Sequence, residues 1–434
     1  MIGTTLSLLG GLGMFLFGMK IMSEALQKLS GEKLRAVMRT MTGNRFVGVG
    51  TGFLVTCLVQ SSSATTVMIV SFVNASLLTV VEATGMIMGA NIGTTTTFWL
   101  VSYFGFKFSI TSIALPIMGL ALPLLFVRHT RLRSLGEFCM GFGLLFLGLM
   151  FLKDSVPDIR SNPEALEFIR DFTGHGLWSV LAFFAFGTVL TIVVQSSSVA
   201  GAITLTMAYK GWIDYPSACA IILGENVGTT ITANIAALGG NTEAKRAARV
   251  HLLFNLIGVV WCILLFNPFS ALVDRIIPGD SLDTTHIPLH MAGFHTLFNI
   301  CNTVLLIGFV AQLTQLAGRM FIGTAAAPTR DHVAYESPLV PHTGELNLAE
   351  AERDVQRMGA ITRDLVVGFI DLFERAPADL AGRVTELHAL EQESDRRAIA
   401  STQYLLRCTA GGVSEQTMAR VTVTIRVVAE LEDM

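Results

Sequence analysis

The chain has 434 residues, 52% hydrophobic and 15% charged, with a net charge of −3 and a mean hydropathy of +0.59. So little charge excludes an ordinary soluble domain of this length, and the near-neutral balance excludes a nucleic-acid binder that works through a basic surface. Six cysteines, none in a Cys-x-x-Cys pair and none with a histidine at ligand spacing, indicate neither a disulfide framework nor a metal site.

Apolar runs fill residues 3–22, 108–127, 135–152, 250–266 and 291–313. Each is long enough to cross a bilayer, which takes about 20 helical residues. The expected class is an all-α protein of several membrane spans. No basic start leads into a short apolar core with a cleavage site, so the first run is expected to be a retained span.

Two stretches break the apolar pattern with the same four polar residues: "CLVQSSSATTVMIV" at 57–70 and "IVVQSSSVAGAIT" at 192–204. Gln60 and Gln195 are 135 residues apart, as are Gly52 and Gly187, and Thr56 and Thr191. "GANIGTTTT" at 89–97 and "GENVGTTIT" at 224–232 keep that offset, and "GLGMFLFG" at 11–18 resembles "GFGLLFLG" at 141–148 with an offset of 130. Repeated halves whose apolar segments are interrupted at matching positions mark the binding site of a secondary transporter.

The limbs around the first break, 46–59 and 64–78, are 14–15 residues each, or roughly 21 Å as helix. That is too short to cross alone and fits a re-entrant hairpin with QSSS at its tip. Residues 178–194 and 197–209 form the second such hairpin. Hairpins add no net crossing, so three spans (about 3–27, 83–101 and 108–127) separate the repeats, and the second repeat enters the membrane inverted. Charge agrees. The loop 28–45 carries Lys28, Lys33, Arg35, Arg39 and Arg45; the next holds Arg128, Arg131 and Arg133; a third holds Lys245, Arg246 and Arg249. These are expected inside. The loop 153–177 carries Asp154, Asp158, Glu164, Glu167 and Asp171 and is expected outside, with the N-terminus. The transport domain is then 1–317: repeat one about 3–127, repeat two about 135–267, and an extra span about 289–316.

At a hairpin tip, the ends of two half-helices lack backbone partners, and Ser or Thr can cap them. The second limb of each hairpin begins at the serines and points its N-terminus into the site. Such an end offers N–H donors and positive partial charge. Two of them facing each other suit a tetrahedral oxyanion, while the carbonyls of the preceding limbs and the hydroxyls of Ser61, Ser62, Ser63, Thr65, Thr66, Ser196, Ser197 and Ser198 suit a small cation. The amides of Gln60 and Gln195 donate and accept. In the second motif, Asn91, Thr94, Thr95, Asn226, Thr229 and Thr230 either add oxygens beside the tips or bond the hairpins to the spans. Glu225, whose repeat mate is Ala90, is the one carboxylate in its apolar stretch. It binds a cation, carries a proton, or serves as a protonated hydrogen-bonder. No Arg or Lys lies in a tip or in either Asn-Gly-Thr segment, so a multiply charged anion needs neutralising charge to arrive with it, which favours cation coupling. "HLLFN" at 251–255 and "HTLFN" at 295–299 pair His with Asn at i, i+4, for packing between late spans or for a polar path. A serine nucleophile needs a positioned base; there is no GxSxG, and duplicated serines suit binding, so no enzyme is expected.

Two QSSS segments, each followed by a Gly-x-Asn-x-Gly-Thr-Thr span, resemble the type II sodium/phosphate cotransporter family and its bacterial members over roughly residues 3–315. The resemblance implies a bacterial inner-membrane carrier importing inorganic phosphate on a Na⁺ gradient, with no cofactor beyond Na⁺ as coupling ion. It implies phosphate at Gln60, Ser61, Ser62, Ser63, Gln195, Ser196, Ser197 and Ser198. Na⁺ is expected among Gln60, Ser63, Thr65, Thr66, Asn91, Thr94, Thr95, Gln195, Ser198, Glu225, Asn226, Thr229 and Thr230. The inverted repeats alone fit equally a sodium- or proton-coupled symporter of another small solute or oxyanion.

Residues 318–345 read as a linker, and from 346 three amphipathic stretches, separated by Ala-Pro-Ala and Gly-Gly, predict a small three-helix bundle. It resembles half of a PhoU-like domain at 346–434. The topology expects it in the cytoplasm, as a regulatory partner-binding module, a homodimer contact or a stabilising unit.

Overall fold

The computed structural model describes residues 2–39, 44–74, 78–107, 111–156, 172–320, 344–374, 379–409 and 415–433, and no strand occurs among them. Among the described residues, five helical stretches are long and apolar enough to cross a membrane: Leu6–Ser30, Thr130–Ser155, Leu177–Val194, Thr242–Leu264 and Ile287–Arg319. The chain is an all-α membrane protein.

The helices in chain order are α1 (Ile2–Arg39), α2 (Arg45–Val59), α3 (Ser62–Asn74), α4 (Val80–Leu100), α5 (Thr111–Leu125), α6 (Thr130–Ser155), α7 (Leu177–Val194), α8 (Ser197–Tyr209) and α9 (Tyr215–Gly228). They continue with α10 (Thr230–Ala236), α11 (Thr242–Leu264), α12 (Phe266–Ile276), α13 (Ile287–Leu306), α14 (Val310–Arg319), α15 (Gly344–Glu374), α16 (Leu380–Thr409) and α17 (Glu415–Glu432). The first two residues of each QSSS segment, Gln60–Ser61 and Gln195–Ser196, form a break between helices, and the preceding helices end at the expected 59 and 194.

Four stretches differ from expectation. The expected loop at 28–45 is helical as far as Arg39, because Leu, Lys, Glu, Arg, Ala and Met continue α1 without a stop. The span at 83–101 begins earlier, at a Thr79–Glu82 capping box, and passes into a π-helical turn at Val101–Lys107. The expected limb 178–194 is an 18-residue helix, about 27 Å long, against 15 residues for α2. The connection between the expected second repeat (to 267) and the extra span (from 289) is helical up to Ile276 in α12. The linker at 318–345 lies largely outside the described residues, as does most of the acidic loop at 153–177.

Glycines hold the bundle together, because without a hydrophobic drive between helices in lipid, close backbone approach supplies the packing. On α2 and α4, a Cβ at Gly52 would fall on the Met86 carbonyl, and one at Gly89 on that of Val49. On α7 and α9 the matching contacts are Gly187 with Ile221 and Gly224 with Phe184, each 135 residues further on. The motifs at 11–18 and 141–148 pack against each other: Gly11 and Gly18 meet the backbone of α6, and Gly141 and Gly148 meet that of α1. Phe15, Met19, Met22, Leu145, Phe146, Leu149 and Leu152 fill the space between them, and a Lys28–Glu137 ion pair of 2.8 Å ties the two helices near one end.

Helices α15, α16 and α17 pack together through Leu348, Ala351, Tyr404, Leu405 and Val421, and through Val355, Met358, Ala398 and Val428. The buried Asp354 carboxylate accepts from Arg397 Nη1 at 2.9 Å. Helix α15 also touches α1 and α3.

Candidate functional site

Each QSSS segment is a sharp break made by one residue. Gln60 (φ 53°, ψ 25°) and Gln195 (φ 55°, ψ 23°) are the only non-glycine residues with positive φ among those described. Each caps the preceding helix in the left-handed region, with its N–H donating to the carbonyl of Thr56 or Thr191 at 2.7 Å. A side chain in this region costs about 1–2 kcal/mol, so the same strain at two positions 135 residues apart points to function rather than accident. The chain then turns straight into a second helix. Ser61 Oγ accepts from Ala64 N–H at 3.2 Å and Ser196 Oγ from Val199 N–H at 3.4 Å, capping α3 and α8.

The two breaks come together. A cavity of about 190 Å³ is lined by Gln60, Ser61, Ser62, Ser63 and Ala64 from one side, by Gln195, Ser196, Ser197 and Ser198 from the other, and by Leu16, Met19, Lys20, Ser23 and Gln27 of α1. The N-termini of α3 and α8 both open onto it, offering unsatisfied N–H groups and positive partial charge at the same space. All eight residues expected to hold phosphate therefore line one cavity.

The two glutamines are not equivalent. Gln60 is committed: its amide Nε2 donates to Cys57 O at 2.5 Å and its Oε1 accepts from Thr97 Oγ1 at 3.1 Å. The Gln195 side chain is exposed and makes no hydrogen bond among the described residues, which leaves its amide for a ligand. Helix α1 adds Ser23, whose Oγ donates to Val59 O at 2.5 Å and satisfies one of the last carbonyls of α2; Gln27 Nε2 in turn donates to Ser23 Oγ at 3.1 Å.

The second motif lies outside this wall. Thr65, Thr66, Asn91, Thr94, Thr95, Glu225, Asn226, Thr229 and Thr230 are all buried, at 8% exposure or less. Asn91 Nδ2 and Asn226 Nδ2 each donate to the carbonyl four residues back at 2.8 Å. Thr94 and Thr229 bond back to Ala90 O and Glu225 O, Thr95 and Thr230 to Ile92 O and Val227 O. Thr65 and Thr66 bond back to Ser61 O and Ser62 O. The second glycine of each motif packs on the threonine one turn before the break: Gly93 on Thr56 and Gly228 on Thr191. Both threonine hydroxyls are buried without a partner among the described residues.

Glu225 is fully buried. Its Oε1 accepts from Thr204 Oγ1 at 2.7 Å, and its Oε2 has no partner among the described residues. Beside it, Asn226 Oδ1 lies 3.3 Å from both His295 Nε2 and Asn299 Nδ2, so one of the two His–Asn pairs touches the second motif directly. The other pair, His251 and Asn255, bonds internally at 3.0 Å.

Sequence reasoning overlooked Lys20, Ser23 and Gln27. Their signal was present: three polar residues at i, i+3 and i+7 form one stripe on α1, starting directly after its uncharged run at 3–19.

Comparison with known proteins bears on this geometry. The chain is 26% identical to YjbB of Salmonella typhimurium, provisionally named for inorganic phosphate export, over 376 residues, 87% of this chain and just under two thirds (66%) of that protein. It is 29% identical to the uncharacterized protein YqeW of Bacillus subtilis over 294 residues, covering 67% of this chain and 90% of YqeW. A shorter stretch of 103 residues, 23% of this chain and 15% of the relative, is 43% identical to the human sodium-dependent phosphate transport protein 2B. No solved structure matches. The model of the Na⁺/Pi-cotransporter family matches residues 14–154 and 165–277, more than half of the chain and both QSSS segments, and the chain belongs to that family.

Proposed function

We propose that the protein is a sodium-coupled phosphate transporter that holds phosphate between its two QSSS breaks. The observation that carries this reading is the single cavity onto which two helix N-termini open, walled by all eight Gln and Ser residues. Each helix end contributes about half a positive charge, and N–H and O–H donors surround an oxyanion on several sides. The exposed Gln195 amide completes the set.

We assign Na⁺ to the oxygens behind the phosphate. Glu225 supports this: a carboxylate oxygen buried without a partner is costly, and a bound cation removes that cost. The charge pattern of the loops supports an inverted-repeat arrangement with re-entrant breaks, the N-terminus outside and the 346–434 unit in the cytoplasm; the reading of that unit as a PhoU-like regulatory module rests on its sequence resemblance.

Net import is the first reading, because an inward Na⁺ gradient carries phosphate with it. Net export is the second, favoured by the name of the YjbB relatives. The test is radiolabelled phosphate flux in proteoliposomes, with Na⁺ gradients of either direction against equal K⁺, for wild type and a Ser62→Ala/Ser197→Ala pair. Flux that follows the Na⁺ gradient and is lost in the pair is the expected result. Flux indifferent to Na⁺ refutes the coupling, and no phosphate flux from folded protein refutes the substrate.

A further inference from the structure

The cavity wall contains one charged side chain, and it comes from neither QSSS segment. Lys20 sits on α1 after a run, 3–19, without a single charge. Within the candidate span Leu6–Ser30 it is ten residues from the nearer end, roughly 15 Å along the helix. That distance exceeds what a lysine stem covers by snorkelling, so its charge stays at the level of the cavity. An ammonium at that depth, with only Glu24 one turn away, is expensive and is a functional candidate by default.

Its surroundings leave it available. Lys20 pairs with Glu24 at 3.9 Å, well beyond the 2.7–2.9 Å of a charge-assisted hydrogen bond. It makes no side-chain hydrogen bond among the described residues, so its three donors are uncommitted. The matching position on α6, at the offset of 130, is Met150. The nearest lysine on that helix, Lys153, is turned away: its Nζ donates to Gly105 O at 3.1 Å and lies over the rings of Phe106 and Tyr209. The repeat therefore supplies its cation from one half only.

We propose that the Lys20 ammonium is a direct ligand of the bound phosphate, a third positive element beside the N-termini of α3 and α8. The proposal rests on the reading of the cavity as the phosphate site. The protein then neutralises part of the anion's charge before any Na⁺ arrives, and the coupling ions need to balance less of it. Ser23, one turn further along α1, anchors that helix to the end of α2 and so holds Lys20 against the first break.

The test compares wild type with Lys20→Met and Lys20→Arg in proteoliposomes, after size-exclusion chromatography and thermal unfolding establish equal folding. Lys20→Met is expected to raise the phosphate KM by about 10- to 100-fold, the loss typical of a hydrogen bond to a charged group. Vmax should fall far less, and Lys20→Arg should recover most of the affinity. A second measurement needs no variant. Amine-selective labelling of wild type, read by mass spectrometry, should be suppressed at Lys20 by saturating phosphate with Na⁺ and unchanged at Lys153. An unaltered KM in Lys20→Met, or labelling of Lys20 indifferent to phosphate, overturns the role of Lys20 while wild-type uptake leaves the cavity reading intact. Absence of phosphate uptake by folded wild type overturns the cavity reading itself.

Discussion

The two left-handed glutamines make a paired experiment, because they share a backbone and differ in what their side chains do. Replacing either with glycine relieves a strain of about 1–2 kcal/mol and returns about 0.5–1 kcal/mol of that through the greater freedom of the unfolded chain. That balance is the same at both positions. At Gln195 nothing else is lost, since its amide makes no hydrogen bond among the described residues. At Gln60 the bonds to Cys57 O and Thr97 Oγ1 go as well. At about 0.5–1.5 kcal/mol each, they total about 1–3 kcal/mol. Gln60→Gly should therefore be less stable than Gln195→Gly by that amount. With an unfolding entropy of about 2 cal/mol/K per residue, this corresponds to about 1–3 °C in Tm if the chain unfolds as one unit. The assay is thermal unfolding of the detergent-solubilised protein. Equal melting temperatures would mean that the Gln60 side-chain bonds contribute nothing to stability, and the reasoning would fall. Phosphate affinity should move the other way, with Gln195→Gly losing more, because its amide is the one left for the ligand.

Gly52→Ala and Gly187→Ala each push a methyl into a backbone carbonyl, of Met86 and of Ile221, and should cost about 1–3 kcal/mol or more, whereas Gly50→Ala meets open space and should melt at or above the wild-type temperature. Equal melting of Gly50→Ala and Gly52→Ala would contradict the packing. Glu225→Gln keeps the bond from Thr204 and removes the charge, so the Na⁺ concentration for half-maximal uptake should rise by about tenfold or more; an unchanged Na⁺ titration removes Glu225 from the cation site. Arg397→Ala strands the buried Asp354 carboxylate and should destabilise the α15–α17 unit by about 3–5 kcal/mol, read as faster hydrogen exchange confined to those helices. Global loss of protection, or none, would refute that assignment.

Much of the architecture was legible in the chain. Apolar runs of span length and few charges require a membrane, because the backbone in lipid can satisfy itself only as helix. Four polar residues recurring at one offset inside such runs require breaks at 60–61 and 195–196, because amides and hydroxyls take up the backbone groups that a broken helix exposes. The glycines at 52, 89, 187 and 224 keep the repeat's offset in the chain, and the structure adds that each meets a partner backbone. What the chain could not reveal was which polar groups outside the two QSSS segments join them. Lys20 and Gln195 are 175 positions apart, and only the packing of α1 beside both breaks puts them on one cavity. Nor does the repeat carry the difference between its halves: Gln60 and Gln195 adopt the same φ and ψ, yet Thr97 occupies one amide and nothing described occupies the other. Periodicity reports which face of a helix avoids water or lipid, whereas a binding site is a coincidence of faces from distant segments, and that is fixed by tertiary packing alone.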